Sequence, residues 1–270
     1  MRQNELLLIK LGGSVITDKK KPFTARGSVI KRLGFEIKRS LKRFEGDIII
    51  IHGQGSFAHI PASKYQTQKG IINEQSFIGL SLVSDSAIKI NRIVTQELLE
   101  IGLKVISFSP ASIIVSNNEK IHSIFIEPII RALELNFVPV LYGDIVFDID
   151  KRGFCIYSGE KIIGVLVKKL YKNYKKVRII YCTDSDGVYD DKGKTIPVIN
   201  REIFKKLSGA INKSDSVDVT GGMLHKVKES LMLAKKYNLE IFIINGKSRN
   251  DLIKAINGLK VIETKLVWEH

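Results

Sequence analysis

The sequence predicts an α/β protein, a three-layer α/β/α sandwich with a largely parallel central sheet. Three observations predict it. Strand-like and helix-like segments alternate along most of the 270 residues, the apolar runs such as Asp47-Ile48-Ile49-Ile50-Ile51-His52 are strand-sized, and glycine turns stand where strands end or helices begin. Hydrophobic residues make up 44% of the chain, enough for a sizeable core.

The first strand is Leu6–Leu11, ending in Gly12-Gly13-Ser14. A helix follows over about 28–45, with Val29, Ile30, Leu33, Ile37, Leu41 and Phe44 on one face. The second strand, Ile48–Ile51, runs into His52-Gly53-Gln54-Gly55-Ser56. A long helix covers about 76–100, then come a strand at Lys104–Phe108, a helix at Glu127–Leu135 and a strand at Phe137–Leu141. Ile145–Phe147 and Phe154–Tyr157 form a hairpin across a turn-rich connection. The second half continues with helix Lys161–Lys172, strand Val177–Cys182, helix Gly222–Tyr237, strand Glu240–Ile244, a helix near 250–256 and a last strand. The expected division is a lobe over 1–158 and a lobe over 159–270 on one continuous sheet.

Composition bounds the function. No run approaches the length of a membrane span, and the start of the chain carries no secretory pattern, so a cytoplasmic protein without a membrane partner is expected. Cys155 and Cys182 make neither a disulfide framework nor a metal-ligand spacing, and no metal ligands are assigned. The net charge of +15, from 43 basic and 28 acidic residues, favours anionic partners. Nucleic acid and phosphorylated small molecules both satisfy it, as does a solvated lysine-rich surface. There is no aromatic-interleaved basic stripe and no nucleic-acid-binding motif, so nucleic acid is the distant alternative.

The chemistry concentrates at three turns. In open α/β sheets, ligands bind beyond the carboxyl ends of the strands, where glycine lets backbone N–H groups approach an anion. Lys10-Leu11-Gly12-Gly13-Ser14 is the first turn, with Thr17-Asp18-Lys19 after it. A lysine at position 10 of so apolar a strand needs an anion or an escape to solvent, because burying its charge unpaired is expensive. The second turn is Gly53-Gln54-Gly55, followed by His59. His52 reads as a residue that packs or bonds locally. The third, Asp218-Val219-Thr220-Gly221-Gly222, opens a helix whose N-terminus attracts anions, with Lys226 one turn in and His225 on the surface. The P-loop, the protein-kinase signature and a dinucleotide fingerprint after the first strand are all absent from the sequence.

These segments, with Tyr142-Gly143-Asp144 and Thr183-Asp184-Ser185-Asp186-Gly187-Val188-Tyr189, occur in an order that resembles the amino-acid-kinase superfamily from Lys10 to Lys226. The glycine turn ending in a histidine resembles the isopentenyl phosphate kinases, and the fosfomycin kinases share a similar turn. The resemblance implies the amino-acid-kinase fold, ATP with Mg²⁺, a small phosphorylated acceptor and a homodimer through the N-terminal lobe. It implies catalytic Lys10, Lys19, His59 and Lys226, and an acceptor site of Gly53, Gln54, Gly55, His59, Gly143, Ser158 and Gly159. Phe77 and Val83 on the long helix are candidates for the acceptor's apolar tail, against the simpler reading of core positions. The implied nucleotide site is Lys10, Gly12, Gly13, Ser14, Thr183, Asp184, Asp186, Gly187, Val188, Tyr189, Gly221 and Lys226, with Pro197 near the base.

Three positions depart from that pattern. Gln54 and Ala58 stand where glycine is usual, and Ser158-Gly159-Glu160 replaces Ser-Gly-Asp. Gln54 either crowds the phosphate or gives it a hydrogen bond, and Glu160 must reach the lysines with a longer arm. The implied reaction is direct transfer of the ATP γ-phosphate to the acceptor phosphate, which needs charge and alignment but no general base. Another kinase of this fold, acting on a phosphate, phosphonate or carboxylate, is the alternative.

Overall fold

The computed structural model describes residues 3–150, 153–211 and 221–268. In chain order its elements are β1 (Gln3–Leu11), α1 (Gly13–Ile16), α2 (Gly27–Ser40), β2 (Asp47–His52), α3 (His59–Lys64), α4 (Gln75–Glu100), β3 (Val105–Ser107), α5 (Pro110–Ile113), β4 (Ile114–Asn117), β5 (Lys120–Ile124), α6 (Glu127–Glu134) and β6 (Val138–Tyr142). They continue with β7 (Asp144–Asp148), β8 (Phe154–Tyr157), α7 (Gly159–Leu170), β9 (Tyr174–Thr183), β10 (Val198–Ile199), α8 (Arg201–Ile211), α9 (Gly221–Tyr237), β11 (Glu240–Asn245), α10 (Asp251–Ile256) and β12 (Glu263–Leu266).

Alternation along the strands builds the three layers. Leu6 and Leu8 of β1 join Ile49 and Ile51 of β2 and Ile179 and Tyr181 of β9, all facing α6, α7 and α9. Leu7, Ile9 and Leu11 join Ile48, Ile50, Ile180 and Cys182 on the opposite face, against α1, α2, α4 and α10. A strand covered on both faces has no polar side, which is why β1 and β2 are almost continuously apolar. Helix α4 meets its layer through Ala87, Ile90, Val94 and Leu98, spaced by three or four residues.

The strands order as β10-β12-β11-β9-β1-β2-β6-β3 in one eight-stranded sheet. Its neighbours run parallel except β11 and β12. β1 and β9, from the two halves of the chain, pair directly within that sheet.

A second sheet, β5-β4-β7-β8, was not expected beyond its β7–β8 hairpin. The β4–β5 hairpin turns on Asn118 and Glu119, both with positive φ (48° and 62°). The Asp148 carboxylate holds that turn by accepting from the N–H groups of Asn118 and Glu119 at 2.9 and 2.8 Å, and it also accepts from the Ser116 hydroxyl at 2.7 Å. Helices α3 and α8 are likewise additions to the expected elements. The expected helix over 28–45 ends at Ser40, in hydrogen-bonded turns.

Candidate active site

Strands β1, β2, β6 and β9 all point their carboxyl ends the same way, so the turns that follow them converge. Two glycine turns interlock there. A Cβ on Gly13 would stand 2.5 Å from the Gly55 nitrogen, and one on Gly53 would stand 2.8 Å from the Gly13 nitrogen. Neither position tolerates a side chain. Thr17 staples the pair: its hydroxyl donates to the Gly13 carbonyl at 2.7 Å and accepts from the Ser56 N–H at 3.0 Å. The result is a cradle of closely packed backbone, the form of an anion site.

Lys10 shares the face of Leu6 and Leu8, which directs it towards α7. There it forms an ion pair with Glu160, in the first turn of that helix. The ammonium also stands 6.0 Å from the centre of the Tyr181 ring. Gly159 makes the path: a Cβ there would lie 2.8 Å from Lys10 Cε. Ser158 caps α7, its hydroxyl accepting from the Lys161 N–H at 3.3 Å.

Three lysines from three segments gather around two carboxylates. Lys19 bonds Asp184 at 3.1 Å, joining the first turn to the end of β9. Burial alone pushes the Glu160 carboxyl up, but Lys10 and then Lys226 outweigh it and hold the group below its ordinary value, ionised. Burial and the Lys10 charge pull the Lys226 ammonium below the ordinary lysine value, against the attraction of Glu160 and Asp184. The Asp184 carboxyl is likewise raised by burial but lowered further by Lys19, with a contribution from Ser14. Three cations against two anions leave positive charge with nothing to neutralise it inside the cluster. Such a site accepts transferring phosphoryl oxygens.

The segment after β9 folds on itself. Thr183 donates to the Ser185 carbonyl at 3.0 Å, Asp186 accepts from the Asn245 amide at 2.9 Å, and the Asp186 N–H bonds the Tyr189 hydroxyl at 3.1 Å. The Val188 side chain is buried in the core, and its N–H donates to Thr264 at 2.8 Å. The Pro197 carbonyl is occupied by the Lys265 N–H at 2.8 Å. Asp186 and Val188 therefore shape the turn, and Asp184 faces the lysines.

Ahead of the second glycine turn, His52 is fully buried, 3.2 Å from Asn91 through Nε2 and stacked on Tyr142 with ring centres 5.6 Å apart. It serves the fold, as the sequence suggested. His225 is exposed on α9, also as expected. Val83 is 2% exposed and packs with Ile145 and Phe154, while Phe77 is 49% exposed. His59 begins α3, but its side chain lies outside the described residues, as does the segment 212–220 with Asp218, Val219 and Thr220. Gly221 opens α9.

Residues 5–245 match the profile of the amino acid kinase family. The chain is 32% identical over 262 residues to the isopentenyl phosphate kinase of Methanocaldococcus jannaschii, covering 94% of this chain and 95% of that one. It is 33% identical to the isopentenyl phosphate kinase of Methanothermobacter thermautotrophicus, covering 98% of this chain and 100% of that one. The chain belongs to the isopentenyl phosphate kinases of the amino acid kinase family. A solved isopentenyl phosphate kinase structure superposes with a TM-score of 0.80 at 30% identity, covering 97% of this chain and all of that one. The isopentenyl phosphate kinase from Thermoplasma acidophilum, solved as a product complex, superposes at 0.72 and 25% identity over 97% of this chain and 99% of that one.

For an isopentenyl phosphate kinase, two departures now have a physical reading. Glu160 reaches Lys10 in spite of its extra methylene. Gln54 turns its amide to the Gly143 carbonyl, donating at 2.6 Å. Asp144, next in the chain, is fully buried and one of its carboxyl oxygens has no partner. Burial pushes that carboxyl up to about 7, although the Ile145 N–H donates to it. Thr17 and Asp144 stood in segments singled out from the sequence but were given no role there. Glu160 was expected at the lysines through the Ser158-Gly159-Glu160 pattern, and it pairs with Lys10.

Proposed function

We propose that this protein transfers the γ-phosphoryl group of ATP directly to the phosphate of isopentenyl phosphate, releasing isopentenyl diphosphate and ADP. The observation that carries the reading is the convergence of Lys10, Lys19 and Lys226 with Glu160 and Asp184 beside two interlocked glycine turns. A phosphate acceptor is already an anion, so transfer calls for alignment and positive charge rather than a base.

In this reading Lys10 and Lys226 face the migrating phosphoryl group and Glu160 keeps them in register. Lys19, Gly12, Gly13, Ser14 and Asp184 hold the nucleotide phosphates. The nucleoside lies along the Thr183–Tyr189 segment, where Asp186 and Gly187 set the turn. The N–H groups of Gly53 and Gly55, with His59, hold the acceptor phosphate, and Gly143, Ser158 and Gly159 close the site from the β6 side. Phe77 flanks the acceptor tail, and Val83 supports that region from the core, packed with Ile145 and Phe154. The lobe over 1–158 then binds the acceptor and the lobe over 159–270 the nucleotide.

Among the described residues there is no group of three or more acidic, histidine or cysteine side chains suited to a metal. Mg²⁺ would be held here through oxygens of the nucleotide, with Asp184, the carboxylate that bonds Lys19, beside it, and would supply charge neutralisation across the phosphates. A cytoplasmic homodimer completes the reading. The free, buried Cys155 and Cys182 suit a reducing compartment, and no helix among the described residues is long and apolar enough to cross a membrane.

ADP release with ATP, Mg²⁺ and a panel of isopentenyl phosphate, dimethylallyl phosphate, fosfomycin, acetylglutamate and UMP tests the proposal. Turnover on isopentenyl phosphate is expected. Turnover confined to another acceptor overturns the acceptor and leaves the phosphoryl chemistry. In the His59→Ala variant, acceptor KM should rise and turnover slow, whereas Lys226→Ala should act mainly on kcat.

A further inference from the structure

We infer that Gln54 is a positioning residue for the acceptor: its side chain ties the acceptor-binding glycine turn to Gly143, the joint between the two sheets, and so fixes where that turn presents its N–H groups. The inference rests on the acceptor role proposed above for Gly53 and Gly55.

Gly143 occupies a particular place. β6 ends at Tyr142 in the eight-stranded sheet and β7 begins at Asp144 in the four-stranded sheet, so Gly143 is the single residue between these two strands. Its N–H donates to the His52 carbonyl at 3.1 Å, continuing the ladder from β2. Its carbonyl accepts from Gln54 Nε2 at 2.6 Å. The acceptor turn is therefore anchored twice to one residue, once by backbone and once by the Gln54 side chain. A glycine at position 54 would leave only the backbone anchor.

The other half of the amide offsets part of what that hydrogen bond contributes to stability. Gln54 Oε1 is buried and has no hydrogen-bond partner. A buried carbonyl without a donor costs stability, and its removal recovers that cost. The same rigid amide that gives its N–H to Gly143 strands its oxygen. A side chain that offsets its own hydrogen bond in this way makes geometry rather than stability, and the geometry it makes is that of the turn spanning Gly53 to Phe57, including Gly55 at φ 53°. With its amide nitrogen held against the Gly143 carbonyl, Gln54 acts on the acceptor through the turn.

The test compares Gln54→Met, which keeps the length and loses the donor, with Gln54→Gly, which loses both. Steady-state kinetics with isopentenyl phosphate and with ATP, thermal midpoints, and hydrogen exchange of the 53–57 amides are measured on each full-length variant. The expected result is a rise of about five- to tenfold in acceptor KM for both variants, an ATP KM within twofold of the parent, a thermal midpoint no lower than the parent's, and faster exchange at 53–57. Gln54→Met behaving like the parent in acceptor KM and exchange would overturn the inference, since bulk alone would then suffice. So would equal rises in both KM values with a fall in thermal midpoint, the mark of a merely structural residue. If the parent uses a different acceptor, the same comparison is made with that acceptor: the choice of isopentenyl phosphate fails while the exchange data still decide the role of Gln54.

Discussion

Lys10 and Glu160 form an ion pair that joins the end of the central strand to the first turn of α7, with side chains 11% and 19% exposed. The pair is more than a neutralised charge. Glu160 also feels Lys226 from α9, so one carboxylate sets the relation between two lysines on different elements. Removing one partner of a buried pair leaves the other uncompensated, which makes substitutions here informative.

Replacing Glu160 by glutamine keeps the length and the helix start but removes the charge that holds the two lysines together. The expected outcome is a fall in kcat of about a hundredfold, in the range of a lost electrostatic contribution to the transition state, with smaller changes in either KM. Glu160→Asp restores the acid usual in the family with a shorter arm and should recover much of that loss. A glutamine variant with parental kcat would remove Glu160 from the catalytic arrangement.

Lys226 gives a pH prediction. Its ammonium is held below the ordinary lysine value by burial and by Lys10, so its charge is lost on a rising pH scale sooner than that of a surface lysine. Activity should therefore fall on the alkaline side through that lowered value, and Lys226→Arg should carry the fall to higher pH. The linkage runs the other way for stability. The unfolded chain binds this proton more tightly than the fold does, so a charged Lys226 destabilises the empty protein below that value. Lys226→Met should abolish turnover and raise the thermal midpoint by about 1–4 °C at neutral pH. An inactive variant that melts lower would contradict this account.

The central strands and the glycine turns were legible because each had one physical cause: burial on both faces, or contact too close for a side chain. Lys10 was legible for the same reason, as a charge in a strand with no polar side. The β4–β5 hairpin was not. Glu119 takes φ 62°, a conformation that glutamate seldom adopts, and the turn is held by Asp148 from another strand. Nothing local encodes that clamp. Helix α8 did carry a signal: Asn200 accepts from the N–H groups of Glu202 and Ile203 at 3.1 and 3.0 Å, ahead of Ile203, Phe204 and Leu207 at helical spacing. The direction of the Gln54 amide was beyond reach, because its partner lies 89 residues away.

Val83 and Phe77 separate packing from binding. Val83 sits with Ile145 and Phe154, so Val83→Ala should cost about 1–3 kcal/mol in chemical denaturation by leaving a cavity. Phe77 is half exposed, and Phe77→Ala should change stability by no more than about 0.5 kcal/mol. If Phe77 covers the acceptor tail, that variant still raises acceptor KM several-fold. An unchanged KM would leave it as a surface residue.

Asp144 supplies a prediction in the neutral range. Its carboxyl is pushed up to about 7 by burial, against the donation from Ile145 N–H and the neighbouring Ser84 hydroxyl, while the unfolded chain releases the same proton near pH 4. Between those values the fold holds a proton that the unfolded chain has lost. Stability contributed at this position is therefore full below about pH 4, declines as pH rises towards 7, and stays reduced above it. Glu160 and Asp148, whose values are depressed, act on the acid side of this window. His52, kept neutral by burial, slopes in the opposite sense below pH about 6.5. The total curve mixes these contributions, and the difference between parent and variant isolates one. Asp144→Asn cannot titrate, so its thermal midpoint should gain on the parent's steadily between pH 5 and pH 8, with the gap levelling beyond the upper value. Parallel curves across that window would mean that the Asp144 carboxyl is already ionised in the fold at pH 5, and that its unpaired oxygen has a partner in solution.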